Sequence, residues 1–119
     1  MFTVSVPATR PRPGVAFPPC ARQWVRCRRL AVIWTRSRRD TAAAYGRSPL
    51  SLPRHLGFYL AHVACGLPLR AVARLSACHP SSIAYGVRRI EHLRENAALD
   101  GAIARLEAAA RGLGPRGLH

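Results

Sequence analysis

Four times between residues 54 and 111, apolar side chains recur at three- and four-residue spacing, and glycine, proline or a short polar stretch separates the runs. That period matches the 3.6-residue turn of an α-helix buried on one side, not the two-residue alternation of a strand. Leu56, Tyr59, Leu60 and Val63 mark a first helix over about Arg54–Cys65, stopped by Gly66. Pro68 opens a short second helix with Leu69, Val72 and Leu75 on its inner side. Proline suits a first helical turn because its missing N–H would have had no partner there. After Ser76-Ala77-Cys78-His79, the spacing predicts a third helix from about Pro80 to Glu95, with Ile83, Val87, Ile90 and Leu93 inward. A fourth runs from Ala97 to Arg111 around Leu99, Ile103 and Leu106.

The rest of the chain reads differently. Its 119 residues leave room for one domain with a tail. Seven of the ten prolines lie at or before Pro53, where ten arginines face the single Asp40. Such Pro- and Arg-rich sequence predicts disorder or local order only. Ala21 to Arg39 could form a short helix, with Trp24, Leu30, Ile33 and Trp34 interleaved among arginines, but these positions make no tidy stripe. A solvated basic tail is the favoured reading; a Trp-bearing basic helix on a membrane surface or on DNA, or an Arg-rich transit peptide, are the alternatives. The expected fold is therefore all-α: a small helix-turn-helix bundle of about four helices over residues 46–111. A largely irregular basic segment, 1–45, precedes it, and a fraying Gly-rich tail, 112–119, follows.

Charge narrows the choice of partner. Nineteen basic residues, every one arginine, stand against five acids, a net charge of +14. GC-rich coding would explain arginine in place of lysine but not the excess of cations over anions. Arginine's flat fork of donors matches phosphate oxygens and guanine edges, and so lopsided a balance draws polyanions in. Short helix, tight connection and longer helix form the helix-turn-helix layout. The outer face of the third helix carries Ser81, Ser82, Tyr85, Arg88 and Arg89, with no acid before Glu91. These groups donate to bases and phosphates, and they sit at the end of the helix that enters a major groove.

The string Ser81-Ser82-Ile83-Ala84-Tyr85-Gly86-Val87-Arg88-Arg89-Ile90-Glu91 resembles the signature helix in the DNA-binding domain of DnaA, the bacterial replication initiator family. That family typically reads Asp-His-Ser/Thr-Thr-Val-x-His-Ala-x-Arg/Lys-Lys-Ile. Pro53-Arg54-His55 with Leu56 and Leu60-Ala61 is similar to the start of the same domain, and Leu69-Arg70-Ala71-Val72-Ala73 falls where the family has Leu-x-x-Ile-Gly. The likeness covers about residues 47–95. It departs at the turn, where Ser76-Ala77-Cys78-His79-Pro80 replaces Gly-Gly-Arg-Asp-His and one residue is missing just before it. His79 takes the place of an Asp, and Pro80 that of a base-contacting His, so the fold is expected to persist while base readout changes. By the resemblance, Arg47 and Arg54 would carry over a basic segment that enters the adjacent minor groove. The candidate DNA-contacting residues are thus Arg47, Arg54, His79, Ser81, Ser82, Tyr85, Arg88 and Arg89.

Other chemistries find less support. Gaps of six, thirty-seven and twelve residues between Cys20, Cys27, Cys65 and Cys78 match no zinc spacing and no disulfide framework. A chain without lysine has no Gly-x-x-x-x-Gly-Lys-Ser/Thr phosphate loop. No Ser/His/Asp or Cys/His set reads as catalytic, so no enzyme activity, cofactor or small-molecule substrate is expected. The longest uncharged apolar run of the first half, Leu30–Thr35, is far too short to span a bilayer. The expected setting is the cytoplasm, at the nucleoid. The expected partner is double-stranded DNA, with DnaA or another replication protein as a further candidate. A protein-interaction module whose basic tail touches nucleic acid or membrane only non-specifically is the alternative.

Overall fold

The structure is a computed structural model and describes residues 19–112. Its elements are α1 (Pro19–Arg36), α2 (Arg39–Tyr45), α3 (Ser51–Tyr59), α4 (Leu69–Ser76), α5 (Pro80–Leu93) and α6 (Ala97–Ala110). A wider π-type turn, Leu60–Ala64, prolongs α3. Among the described residues there is no strand, and the all-α expectation holds. The four helices read from the sequence are α3 to α6. The expected tail lies outside the described residues except for Gly112, as do residues 1–18.

The expectation of a largely irregular segment does not describe residues 19–45, which form α1 and α2. Trp24, Cys27, Ala31 and Thr35, spaced three and four apart, are all buried. Two of those four are small, whereas the bulky Val25 and Ile33 point outward, 54% and 58% exposed. Large apolar residues therefore trace no stripe along α1, although the buried positions do. The small face allows close approach to α3: a Cβ on Gly57 would sit 3.8 Å from the Arg28 Cα and from the Trp24 ring. Trp24 also stacks on Phe58 with centroids 6.2 Å apart.

Helix α3 forms the centre, packed against α1, α2 and α5 and, through its π-turn, against α6. Leu52, Leu56, Phe58, Leu60, Val72, Ile83, Ile90 and Ile103 are fully or almost fully buried. Each such side chain contributes about 1.5–3 kcal/mol by leaving water. Arg94, which closes α5, ties three helices together. Its guanidinium donates to Asp100 Oδ1 (2.6 Å) and to the Tyr59 hydroxyl (2.7 Å) and pairs with Glu107 (2.9 Å). Burial opposes the Arg94 charge, yet these three partners outweigh it and hold the group firmly protonated.

Two backbone positions set the start and the crossing of α5. Ala77 ends α4 in the left-handed region (φ 59°), its N–H donating to Ala73 O. A β-carbon is unfavourable there by roughly 1–2 kcal/mol, and glycine relieves it. At Gly86 the opposite holds: a Cβ would lie 2.9 Å from His55 Cδ2 and 3.0 Å from Phe58 Cδ2. Ala77→Gly should therefore raise the thermal midpoint, by an amount equivalent to about 1 kcal/mol. Gly86→Val should lower it by an amount equivalent to at least ~2 kcal/mol through overpacking. Melting curves followed by circular dichroism read both, and equal midpoints for the two variants would contradict the geometry.

Candidate nucleic-acid interface

Proline starts α5 in a fixed backbone conformation, and His79 caps it. The His79 Nδ1 accepts from the Ser81 N–H (3.0 Å) and lies 2.8 Å from Ser81 Oγ. An imidazole thus does what a short acidic or hydroxyl side chain does at most helix starts. Four residues of the candidate set come together just beyond. Arg54 of α3 and Ser81, Ser82 and Tyr85 of α5 line one open cleft of about 360 Å³, with His55, Phe58 and Cys78 as its remaining walls. Ser81 is occupied by the cap, whereas the Ser82 hydroxyl makes no hydrogen bond among the described residues.

Along α5, Ser81, Tyr85, Arg88 and His92 recur at four, three and four residues, and all four are exposed. They form one outward stripe, opposite the buried Ile83, Gly86, Val87 and Ile90. Tyr85 is 49% exposed but held in place. Its ring meets His55 edge-on at 5.6 Å, and its hydroxyl accepts from Arg89 Nη1 at 3.0 Å. Arg89 is not a free cation. It lies over the Tyr45 ring, 4.4 Å from the centroid, and donates to the Tyr45 carbonyl at 2.6 Å. Its role is to fasten α2 to α5 and to aim Tyr85. Arg47, exposed in the connection between α2 and α3, lines none of the clefts around α5.

The structure adds residues outside the candidate set. Arg70 and Arg74, exposed one turn apart on α4, flank a second cleft with Ala73, Cys78 and Pro80. Arg28 of α1 shares a third with Arg54. Cations therefore stand on either side of the corner Cys78–Pro80 where α5 begins. Spacing in the sequence could have revealed Arg70 and Arg74, four residues apart and away from Leu69 and Val72. Arg28 could not be found that way, because only the docking of α1 brings it near. Among the described residues no three His, Cys, Asp or Glu side chains gather as a metal ion would require, and no helix is long and apolar enough to cross a membrane. No protein-family model, curated protein or solved structure matches this chain, so its own residues carry the functional reading.

Beneath the cleft, Tyr45 Oη and His55 Nδ1 are 2.8 Å apart. Burial raises the Tyr45 phenol to about 12. Burial also lowers His55, and the positive charges of Arg89 and Arg54 push it further down. The unfolded chain takes up this proton near pH 6.5, as an ordinary histidine does, while the folded chain resists it. Stability held above about pH 6.5 is thus lost as the pH falls through the lower folded value. The thermal midpoint should be lower at pH 5 than at pH 7.5, and His55→Gln should narrow that difference. A variant whose two midpoints differ as much as those of the parent would exclude His55 as the cause.

Proposed function

We propose that this chain binds double-stranded DNA through a DnaA-like helix-turn-helix, α4 and α5, with α5 reading the major groove. The observation that carries the proposal is the surface at the start of α5. An exposed stripe of Ser81, Tyr85 and Arg88 lies beside Ser82, with Arg54 on one flank and Arg70 and Arg74 on the other. None of these arginines pairs with a carboxylate among the described residues, where the ion pairs involve only Arg94 and His92. The partial positive charge at the N-terminus of α5 adds to the same field.

In this reading, Arg54, Arg70, Arg74 and Arg88 hold phosphates, whose contacts fix register, while Ser82 and Tyr85 meet base edges. Arg89 acts behind Tyr85 rather than on the DNA. Arg47 reaches the backbone or the minor groove from its loop, as the likeness to the initiator's domain suggests. Residues matching that likeness lack a nucleotide-binding loop, so the proposed role is occupancy of a site, in control of replication or transcription, with DnaA or another replication protein as a further partner at the nucleoid.

Random duplex DNA retained by the full chain at about 150 mM salt and then sequenced should show an enriched motif. Neutralising five to eight phosphates predicts a slope of log K against log salt of about −4 to −7. Arg88→Ala should make that slope shallower by about one and weaken all sequences alike. Ser82→Ala should instead reduce discrimination between sites by about 1–3 kcal/mol. Retention without enrichment, vanishing as salt rises, would leave contact by charge alone and favour a protein-interaction module.

A further inference from the structure

The outer face of α1 takes no part in the site just described. Arg22, Arg29 and Arg36 recur there at seven-residue spacing, two helical turns apart, and all three are exposed. Seven residues place successive guanidinium groups on nearly the same side, about 10.5 Å apart along the axis. No acid occurs in α1, and Asp40, the nearest carboxylate in sequence, forms no ion pair among the described residues. Arg26 lies on the same face but donates to the Ala110 carbonyl at 3.3 Å, closing α6.

This face belongs to α1 and the proposed reading stripe to α5. Both helices pack on α3, but on different flanks. Gly57 is where α3 meets Arg28 and Trp24 of α1, while His55 and Phe58 are where it meets Gly86 of α5. Those positions lie roughly 130° apart around α3 at 100° per residue. Each outer helix buries its apolar side toward α3 and turns its arginines outward: Trp24, Cys27 and Ala31 inward on α1, Ile83, Val87 and Ile90 inward on α5.

We infer that the α1 face is a second duplex-binding surface, so that one chain bridges two DNA segments; this rests on the DNA-binding reading of α5. A duplex presents about one negative charge per 1.7 Å of axis and receives evenly spaced cations along its backbone without base contacts. A membrane surface fits less well. A helix lying in the interface sinks an apolar face into it, and the apolar face of α1 is already spent in the core, leaving only Val25, Val32 and Ile33 exposed among the arginines.

The test is capture of a second, fluorescent 30-base-pair duplex by full-length protein on a bead-bound duplex at about 150 mM salt. The triple variant Arg22→Gln, Arg29→Gln, Arg36→Gln should still bind a single duplex through α5, while capture of the second falls at least tenfold. Helical content by circular dichroism should be unchanged. Arg70→Gln, Arg74→Gln, Arg88→Gln should also abolish capture, and it should hold one duplex without sequence preference. Undiminished capture by the α1 variant would overturn the proposal, because two reading faces in a dimer would then suffice. Wild-type protein that binds one duplex and captures no second would overturn it while leaving the α5 reading intact. No duplex binding at all would remove both. Arginine-dependent sedimentation with phosphatidylglycerol vesicles, in the absence of capture, would reassign the face to membrane.

Discussion

Helix α5 lies where it does because position 86 has no side chain. With a hydrogen in place of a Cβ, the helix backbone comes within contact of the His55 and Phe58 rings of α3. Much of the interface follows from that crossing. It brings Tyr85 onto the edge of His55, leaves Arg89 over Tyr45, and places Ser81 and Ser82 in one open cleft with Arg54. Packed interiors transmit such constraints because they have little free volume to absorb a shift. The exposed face of α5 is therefore positioned first by the core, with Arg89 holding Tyr85 in place upon it.

Charge is the second constraint. With five carboxylates in the chain, ion pairing cannot neutralise nineteen arginines. Arg94, at the junction of α3, α5 and α6, takes two of the five, Asp100 and Glu107. Exposed pairs would in any case stabilise little. What remains is a helical body whose arginines are mostly held at the surface, several with their stems or planes against aromatic rings, as Arg28 on Trp24 and Arg38 on Trp34. Self-repulsion among these cations opposes compactness, and a bound polyanion would relieve it.

The candidate residues divide by what each contact costs to foresee. Ser81, Ser82, Tyr85 and Arg88 are readable from helical spacing, because the outer face of a helix is the complement of its buried stripe. Arg54 falls beside them only because α3 packs against α5. Arg89 shares their face in sequence but not in chemistry: the Tyr45 carbonyl and ring reach it from forty-four residues away, through α2. Histidine is not among the residue types that usually cap a helix, yet the His79 ring nitrogen accepts from the Ser81 amide at 3.0 Å.

By itself the sequence determined the helices α3 to α6, most of their inner faces and the positive field, because each depends on near neighbours in the chain or on composition. Val63, expected on the apolar side of the first helix, is exposed instead, because the π-type turn Leu60–Ala64 breaks the helical spacing there. Periodicity, proline and glycine punctuation and net charge are local or additive quantities. The place of α1 was decided only by tertiary structure. Its buried side is made of Trp24, Cys27, Ala31 and Thr35, residues too mixed in size and polarity to stand out until α3 offers Gly57 and Phe58 as the complementary surface. The grouping of Arg28, Arg54, Arg70 and Arg74 around the start of α5 was likewise decided there, since no spacing along the chain encodes which helices will lie side by side.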